Sequence, residues 1–168
     1  MFSRVDLHVH STASDGKCTP KDIVAKAAAL GLSAIAITDH DTVAGLRGAQ
    51  AAGKLYGVQV IPGIELSTQH EQVEVHVLGY FINAQKRELV AKLEILSDAR
   101  RKRALAIWRR LQREEIPIDW SQIQKHAAGD IIGRAHIARA LVEIGYVPTT
   151  QKAFDYYLKA ADLGESWA

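Results

Sequence analysis

Asp6, His8 and His10 alternate with aliphatic residues near the start of the 168-residue chain. Alternation with a period of two predicts a β-strand with two unlike faces, on which neighbouring side chains lie about 7 Å apart. One face therefore carries a carboxylate and two imidazoles. Neutral imidazole nitrogens are common ligands of Zn, Fe and Mn ions, so a metal site is one interpretation of the pattern. Solvated histidines on an edge strand would show the same pattern, and these residues alone do not choose between the two.

The segments that must position these side chains predict a β-α-β-α-β arrangement. Thr19 and Pro20 are typical of a helix start, and Gly31 is typical of the residue after a helix end. A buried strand over 34–37, a second helix over 42–56 and a third strand over 58–61 complete the repeat. Such alternation predicts parallel strands joined by right-handed crossovers.

Polar residues stand where each predicted strand ends. In parallel α/β folds, ligands bind at the carboxyl ends of the strands, whereas chance would scatter such residues along the chain. The residues at these ends are His8 and His10 after the first strand, Asp39, His40 and Asp41 after the second, and Glu65 after the third. We therefore expect them to form one shared site.

The pattern changes in the next segment, where two strand-like runs flank a polar turn over 69–72. This predicts a strand pair. His76 shares a strand face with Glu74 and can join the site. His70, on the turn, is predicted to be solvated.

The remainder of the chain is predicted to be helical over 85–115, 119–127, 135–144 and 151–160. The basic run over 100–103 is typical of a solvated helix face, with a wall that attracts an anionic substrate as the second interpretation. Arg134 and His136 stand in a first helical turn, where cations oppose the helix dipole. A bound phosphate would be favoured there. A surface arginine beside a packed histidine is the alternative.

Composition indicates an ordinary globular protein with a formal net charge of +2, too small to argue for nucleic acid by itself. The single cysteine, Cys18, excludes an internal disulfide and is typical of a reducing compartment. The first residues lack the apolar run of a signal peptide, and no segment is long and apolar enough to cross a bilayer. We expect a cytoplasmic location.

Five short motifs occur in a specific order: Asp-Leu-His-Val-His-Ser, Ser-Asp-Gly, Ile-Thr-Asp-His-Asp-Thr, Pro-Gly-Ile-Glu and His-Val-Leu-Gly-Tyr. With them the chain resembles the PHP (polymerase and histidinol phosphatase) family of metal-dependent phosphoesterases. The helical segment followed by Gly-Arg-Ala-His-Ile-Ala-Arg makes it most similar to the branch that acts on nucleoside 3',5'-bisphosphates and short oligonucleotides.

The resemblance implies an α/β fold, namely the N-terminal part of a distorted (β/α)7 barrel with a helical insertion. The expected division is the front half of the barrel over 1–82, the insertion over 83–160 and a tail over 161–168.

The resemblance also implies two or three divalent ions, Mn, Fe or Zn. By position in the motifs, His8 and His10 would hold one ion, Glu65 would bridge it to a second held by His76, and Asp15 and His40 would hold a third. Asp6, Asp39 and Asp41 would orient these ligands, and Asp41 is an alternative candidate for proton handling. Arg134 and His136 match positions that bind a substrate phosphate.

The implied activity is hydrolysis of nucleotide phosphate esters by a metal-activated water, with a nucleotide or short oligonucleotide as substrate and no membrane partner. A small phosphomonoesterase of the histidinol-phosphate type is the alternative enzyme. The late Ala-His-Pro and Asp-x-His motifs of the family do not occur here, so a non-catalytic metal-binding or assembly module is a further alternative. Because half a barrel exposes strand edges and apolar faces, we expect self-association or a completing C-terminal chain.

Overall fold

The computed structural model describes residues 4–71, 73–127, 129 and 131–158. The predicted tail over 161–168 and the last residues of the predicted helix over 151–160 lie outside them. The elements are β1 (Arg4–Val9), α1 (Pro20–Ala29), β2 (Leu32–Ile37), α2 (Leu46–Tyr56), β3 (Gln59–His70), β4 (Val73–Tyr80), α3 (Arg87–Arg113), α4 (Trp120–Gln124), α5 (Arg134–Glu143) and α6 (Thr150–Tyr157).

The four strands form one curled sheet in the order β1-β2-β3-β4, which is half of a barrel wall. β1, β2 and the first part of β3 are parallel, and β4 is antiparallel to the second part of β3. The predicted parallel repeat and the strand pair are both confirmed. As predicted, α1 begins after Thr19, whose hydroxyl accepts a hydrogen bond from the Asp22 amide.

β3 is longer than predicted. The sequence indicates a strand that ends before Pro62 and a separate strand-like run from Glu65, but the structure joins them into one strand that continues to His70, so that Glu65 lies within β3 rather than after it. Pro62 is the last β3 residue in register with β2, and its carbonyl accepts a hydrogen bond from the Ile82 amide at 3.2 Å. The proline, which has no N–H to donate, therefore lies where pairing with β2 ends and pairing with β4 begins.

α2 begins four residues later than predicted, at Leu46. The preceding turn is fixed by contacts with the strand ends: the Asp41 amide donates to the Glu65 carbonyl at 2.9 Å. A Cβ on Gly45 would lie 2.6 Å from the Asp39 carboxylate. These close contacts hold the turn in a non-helical path.

The buried apolar side chains form two clusters. One joins α1, α2 and β2 and includes Val24, Ile35 and Ala49. The other lies among α3 to α6 and includes Ile107 and Leu141. Within the described residues, no helix has the length and apolar character needed to cross a membrane.

Candidate metal centre

Ionisable side chains from all four strands meet at one end of the sheet. His8 lies on β1 and His10 directly after it, and His40 follows β2 and forms an isolated parallel bridge with Glu65 on β3. His76 comes from β4 and points to the same place. Because β3 runs on past the end of β2, it carries its carboxylate into the middle of this group.

The Glu65 carboxylate is the centre of the group, and its side chain is 5% exposed. Oε2 lies 3.0 Å from Nε2 of His8, 2.8 Å from Nε2 of His10 and 3.5 Å from Nδ1 of His40. Oε1 lies 2.9 Å from Nδ1 of His76. One buried carboxylate therefore faces four imidazoles.

Asp15 extends the group on its other side. Its carboxylate lies 3.3 Å from Nδ1 of His10 and 3.9 Å from Nε2 of His40. Three overlapping sets result, each with ligand atoms within 4.8 Å of one another: His8, His10 and Glu65; His10, Asp15 and His40; His40, Glu65 and His76. These six residues are the metal ligands expected from the sequence, and the structure brings all six together.

The donor set fits divalent transition metals. Mixed imidazole and carboxylate ligands suit Zn, Fe and Mn. In the part of the chain that the structure describes, the Nδ1 atoms of His10 and His40 are buried without a well-formed hydrogen bond. The Nε2 atoms of His8 and His10 lie only 3.0 Å apart. The two Nδ1 atoms are costly to bury without a well-formed hydrogen bond, and a cation would supply a partner.

Burial and neighbouring charges set the protonation of the centre. Burial, reinforced by the positive charge of Arg100, lowers the pKa of His40 to about 4. Burial opposes ionisation of Asp15 and Glu65, but hydrogen bonds and charges from the surrounding imidazoles outweigh it and lower the pKa of both carboxyls. At neutral pH the centre thus offers two carboxylates and a neutral His40, the forms that bind cations.

Asp39 holds the loop that follows β1. The carboxylate is buried and accepts hydrogen bonds from the Ser11 amide and hydroxyl, both at 2.7 Å, and from the Ser14 hydroxyl at 2.6 Å. It orients the loop that carries Asp15 rather than an imidazole. Asp6, also expected to orient a ligand, is exposed and accepts a hydrogen bond from the His8 amide at 3.3 Å.

Asp41 is buried and both of its oxygens have partners. One accepts a hydrogen bond from the Ser67 amide at 2.9 Å, and the other pairs with Arg100 of α3. The residue itself has a φ of 51°, in the left-handed region. These contacts fasten the turn after His40 to β3 and to α3, and they occupy the carboxylate that the sequence offers for proton handling.

A cavity of about 170 Å³ opens beside the candidate metal ligands and is lined on its far side by α3, α5 and α6. Arg100, Arg103 and Arg134 line it together with Phe154. Glu74 lies within hydrogen-bond reach of Arg134 and 3.7 Å from Arg103. The cavity wall is therefore cationic, with one carboxylate pairing two of its guanidinium groups.

The prediction of a solvated basic face is wrong for Arg100 and Arg103, which are 9% and 7% exposed. It holds for Arg101 and Lys102, which are exposed. The helical periodicity contains this signal, because the two buried arginines continue the stripe of Ala104, Ile107 and Leu111. Their carboxylate partners, Asp41 for Arg100 and Glu74 for Arg103, could not be predicted because each pairing joins residues distant in sequence. His70 is exposed, as predicted.

His136 is fully packed, and both of its ring nitrogens have backbone partners. Nε2 lies 3.0 Å from the Ser14 carbonyl, and Nδ1 lies 3.0 Å from the Gly133 amide. A carbonyl only accepts, so Nε2 carries the proton and Nδ1 accepts from the amide. In this structure the guanidinium N–H groups of Arg134 line the cavity. His136 instead joins the segment at Gly133 to the loop at Ser14 through hydrogen bonds.

The chain is similar to known proteins over nearly all of its length. The model of the PHP domain matches residues 6–163. A 5'-3' exoribonuclease of Haemophilus influenzae is 38% identical over 100% of this chain and 62% of its own length. A 3',5'-nucleoside bisphosphate phosphatase of Chromobacterium violaceum is 32% identical over 99% of this chain and 60% of its own length.

The fold has a close counterpart among solved structures. An amidohydrolase from Chromobacterium violaceum, solved with bound sulfate and no metal, superimposes with a TM-score of 0.89 at 32% sequence identity. The superposition covers 94% of this chain and 56% of that protein. The chain thus spans less than two thirds of the length of the relatives it matches. By its matched residues, its motif order and its half-barrel fold, the chain belongs to the PHP domain family.

Proposed function

We propose that the chain is part of a metal-dependent phosphoesterase that hydrolyses phosphate esters of nucleotides, either nucleoside 3',5'-bisphosphates or short oligonucleotides. The observation that carries the proposal is the convergence of four imidazoles and two carboxylates beside a cavity walled by arginines. The names of the relatives, an exoribonuclease and a bisphosphate phosphatase, support the same substrate class.

In this proposal the six converging residues hold two or three divalent ions, Mn, Fe or Zn: His8, His10, Asp15, His40, Glu65 and His76. Such ions neutralise phosphate charge, lower the pKa of bound water and stabilise the leaving oxygen. The three overlapping sets support more than one ion, with Glu65 shared between two of them. Asp39 and Asp41 hold the loops that present Asp15 and His40.

The arginine wall would hold the substrate. Guanidinium groups bind phosphate oxygens through paired hydrogen bonds, and a bound phosphate would compete with Glu74 for Arg103 and Arg134. We assign phosphate binding to Arg134 rather than to His136, because both nitrogens of the histidine already have partners. A second phosphate held by this wall, away from the proposed metal ligands, would favour a bisphosphate or an oligonucleotide over a small phosphomonoester.

The two hydrophobic clusters support the proposed division of the chain into a barrel half over 1–82 and a helical insertion over 83–160. The metal ligands come from the first part, and the arginines come from the second. The proposed substrate therefore binds between them.

The test is hydrolysis by the purified chain after metal removal with a chelator and after addition of Mn²⁺. The products measured on a panel are inorganic phosphate from the phosphomonoesters and mononucleotides from the oligoribonucleotide. The panel contains adenosine 3',5'-bisphosphate, a short oligoribonucleotide and histidinol phosphate. We expect turnover of the first two that is lost on chelation and restored by Mn²⁺. Turnover that does not change on chelation would contradict the proposal, and a preference for histidinol phosphate would favour the small-phosphomonoester alternative.

Metal content distinguishes the proposed enzyme from the remaining alternative, a non-catalytic metal-binding module. A chain that binds Mn²⁺ but hydrolyses none of the panel would behave as a metal-binding module rather than an enzyme. Equilibrium dialysis followed by elemental analysis measures the ions per chain independently of turnover.

A further inference from the structure

The loop over 11–18 carries Asp15 but uses most of its own polar groups to hold its shape. The Gly16 amide donates to the Ser11 carbonyl at 2.8 Å, and the Thr12 amide donates to the Cys18 carbonyl at 2.9 Å. The Asp39 carboxylate accepts hydrogen bonds from the hydroxyls of Ser11 and Ser14 in the loop. Two backbone carbonyls flank the Asp15 side chain, those of Ser14 and Asp15. They accept hydrogen bonds from side chains outside the loop.

Both carbonyls accept hydrogen bonds from α5, in the helical insertion. Nε2 of His136 donates to the Ser14 carbonyl at 3.0 Å, and the guanidinium of Arg139 donates to the Asp15 carbonyl. The two side chains are three residues apart, so they lie on one face of the helix. Two adjacent peptide groups next to a metal ligand are therefore held by adjacent side chains of one helix.

The two side chains also support each other. His136 keeps Nδ1 free to accept from the Gly133 amide only while its ring is neutral. Burial, with the positive charge of Arg139 as the next contribution, lowers the pKa of His136 and favours the neutral ring. Arg139 thus contributes one hydrogen bond to the loop directly and preserves the geometry of a second.

We propose that Arg139, together with His136, is a positioning residue that sets the place of the Asp15 carboxylate against His10 and His40. The inference rests on the metal centre proposed above. It makes the helical insertion part of the metal site, because α5 fixes a ligand that the barrel strands do not carry. Groups that fix a metal ligand without touching the ion typically change metal affinity 10- to 100-fold.

The test compares Mn²⁺ binding by the wild-type chain, Arg139→Ala, Arg139→Lys and Arg109→Ala, by equilibrium dialysis and elemental analysis. Arg109 is exposed on α3 and serves as the matched control. We expect Arg139→Ala to weaken binding of at least one ion about 10-fold. Arg139→Lys should restore part of the affinity because it keeps a charged donor. Arg109→Ala should bind as the wild type does.

A double-mutant cycle distinguishes positioning from a general loss of structure. If Arg139 acts through Asp15, then Arg139→Ala should have less than about a twofold effect in an Asp15→Asn chain, because the two changes remove the same ligand. Equal effects in both backgrounds, or wild-type Mn²⁺ affinity of Arg139→Ala, would overturn the inference.

Circular dichroism checks the fold of each variant. If Arg139→Ala does not fold, Arg139→Gln takes its place in the cycle, with the same two criteria. A wild-type chain that binds no Mn²⁺ would instead remove the proposed function, so the two failures are distinguishable.

Discussion

At the scale of single residues, Glu65 is the side chain on which the candidate metal centre depends most. It is almost fully buried and lies within 3.0 Å of nitrogens of three imidazoles, those of His8, His10 and His76. A buried carboxylate among imidazoles is stable only if charge is compensated. In this structure the carboxylate lies in hydrogen-bond contact with the imidazoles of His8 and His76, and metal ions would supply the compensating charge.

Replacing Glu65 by glutamine should remove the shared negative charge while keeping the size of the side chain. We expect Mn²⁺ affinity to fall by more than about 100-fold, beyond the range for groups that only orient a ligand. Equilibrium dialysis measures this. Glu88→Gln, at an exposed position paired with Lys86, is the control and should leave the affinity unchanged. Equal affinities of the two variants would show that Glu65 is not a ligand.

Asp39 is the residue that holds the site without being one of its predicted ligands. Asp39→Asn should destabilise the fold by about 3 kcal/mol, because a buried charged acceptor of three hydrogen bonds is replaced by a group that also donates. Urea unfolding followed by fluorescence measures the change. Asp98→Asn, at an exposed position on α3, should alter the free energy of unfolding by less than about 0.5 kcal/mol. Similar effects of both substitutions would contradict the role given to Asp39.

At the scale of elements, the first loop and α2 use glycine for different reasons. A Cβ on Gly16 would lie 2.2 Å from the His10 carbonyl oxygen and 2.7 Å from the Ser11 carbonyl carbon. A Cβ on Gly48, within α2, would meet its nearest neighbour, the Pro20 Cβ, at 3.8 Å. The loop needs the absence of a side chain for close backbone contact, whereas the helix does not.

The two glycines therefore predict opposite effects on stability. Gly16→Ala should destabilise by about 1–3 kcal/mol because the loop backbone must move, and it should weaken Mn²⁺ binding since the loop carries Asp15. Gly48→Ala should stabilise by about 0.5–1 kcal/mol because alanine loses less backbone entropy in a helix. Thermal or urea unfolding measures both. A Gly16→Ala chain as stable as the wild type would show that the loop contact is not limiting, and a destabilised Gly48→Ala chain would contradict the prediction for the helix.

At the scale of the whole molecule, the sheet leaves apolar side chains in solvent. Val73, Val75 and Val77 on β4 are 66%, 38% and 48% exposed, and Val5 and Leu7 on β1 are 51% and 40% exposed. Within the described residues, the outer edges of β1 and β4 have no partner strand. Unpaired edges with adjacent apolar side chains favour association with another chain.

We therefore predict that this chain self-associates as its concentration rises, unless a completing chain covers the sheet. Sedimentation velocity over a concentration series measures this. Val75→Lys should shift the distribution toward monomer, because charge on an edge strand opposes strand addition. Leu55→Lys, at a 70% exposed position on α2, should leave the association unchanged. A wild-type chain that is monomeric at every concentration would contradict the prediction.

Much of the site could be predicted from local pattern. Alternation around His8 and His10 specifies a strand with an imidazole face, and the β-α-β-α-β order places His40 and Glu65 at the same end of the sheet. Strand alternation and the geometry of a single crossover depend only on residues close together in the chain, so both can be predicted from the sequence alone. The motif order then identified the family, which the comparison with known proteins confirms.

Only the tertiary structure decided which long-range contacts hold the site residues in place. β3 continues through Pro62 because the exchange of partner strands leaves no ladder bond for its missing N–H. Arg100 reaches Asp41 in the turn after His40 across 59 residues of sequence, and Arg139 reaches the loop that carries Asp15 across 124. A buried arginine is stable only when its partner is in place, and that partner is set by how α3 and α5 pack against the strand ends. Composition and periodicity describe each element separately, whereas the contacts between elements arise only in the folded chain.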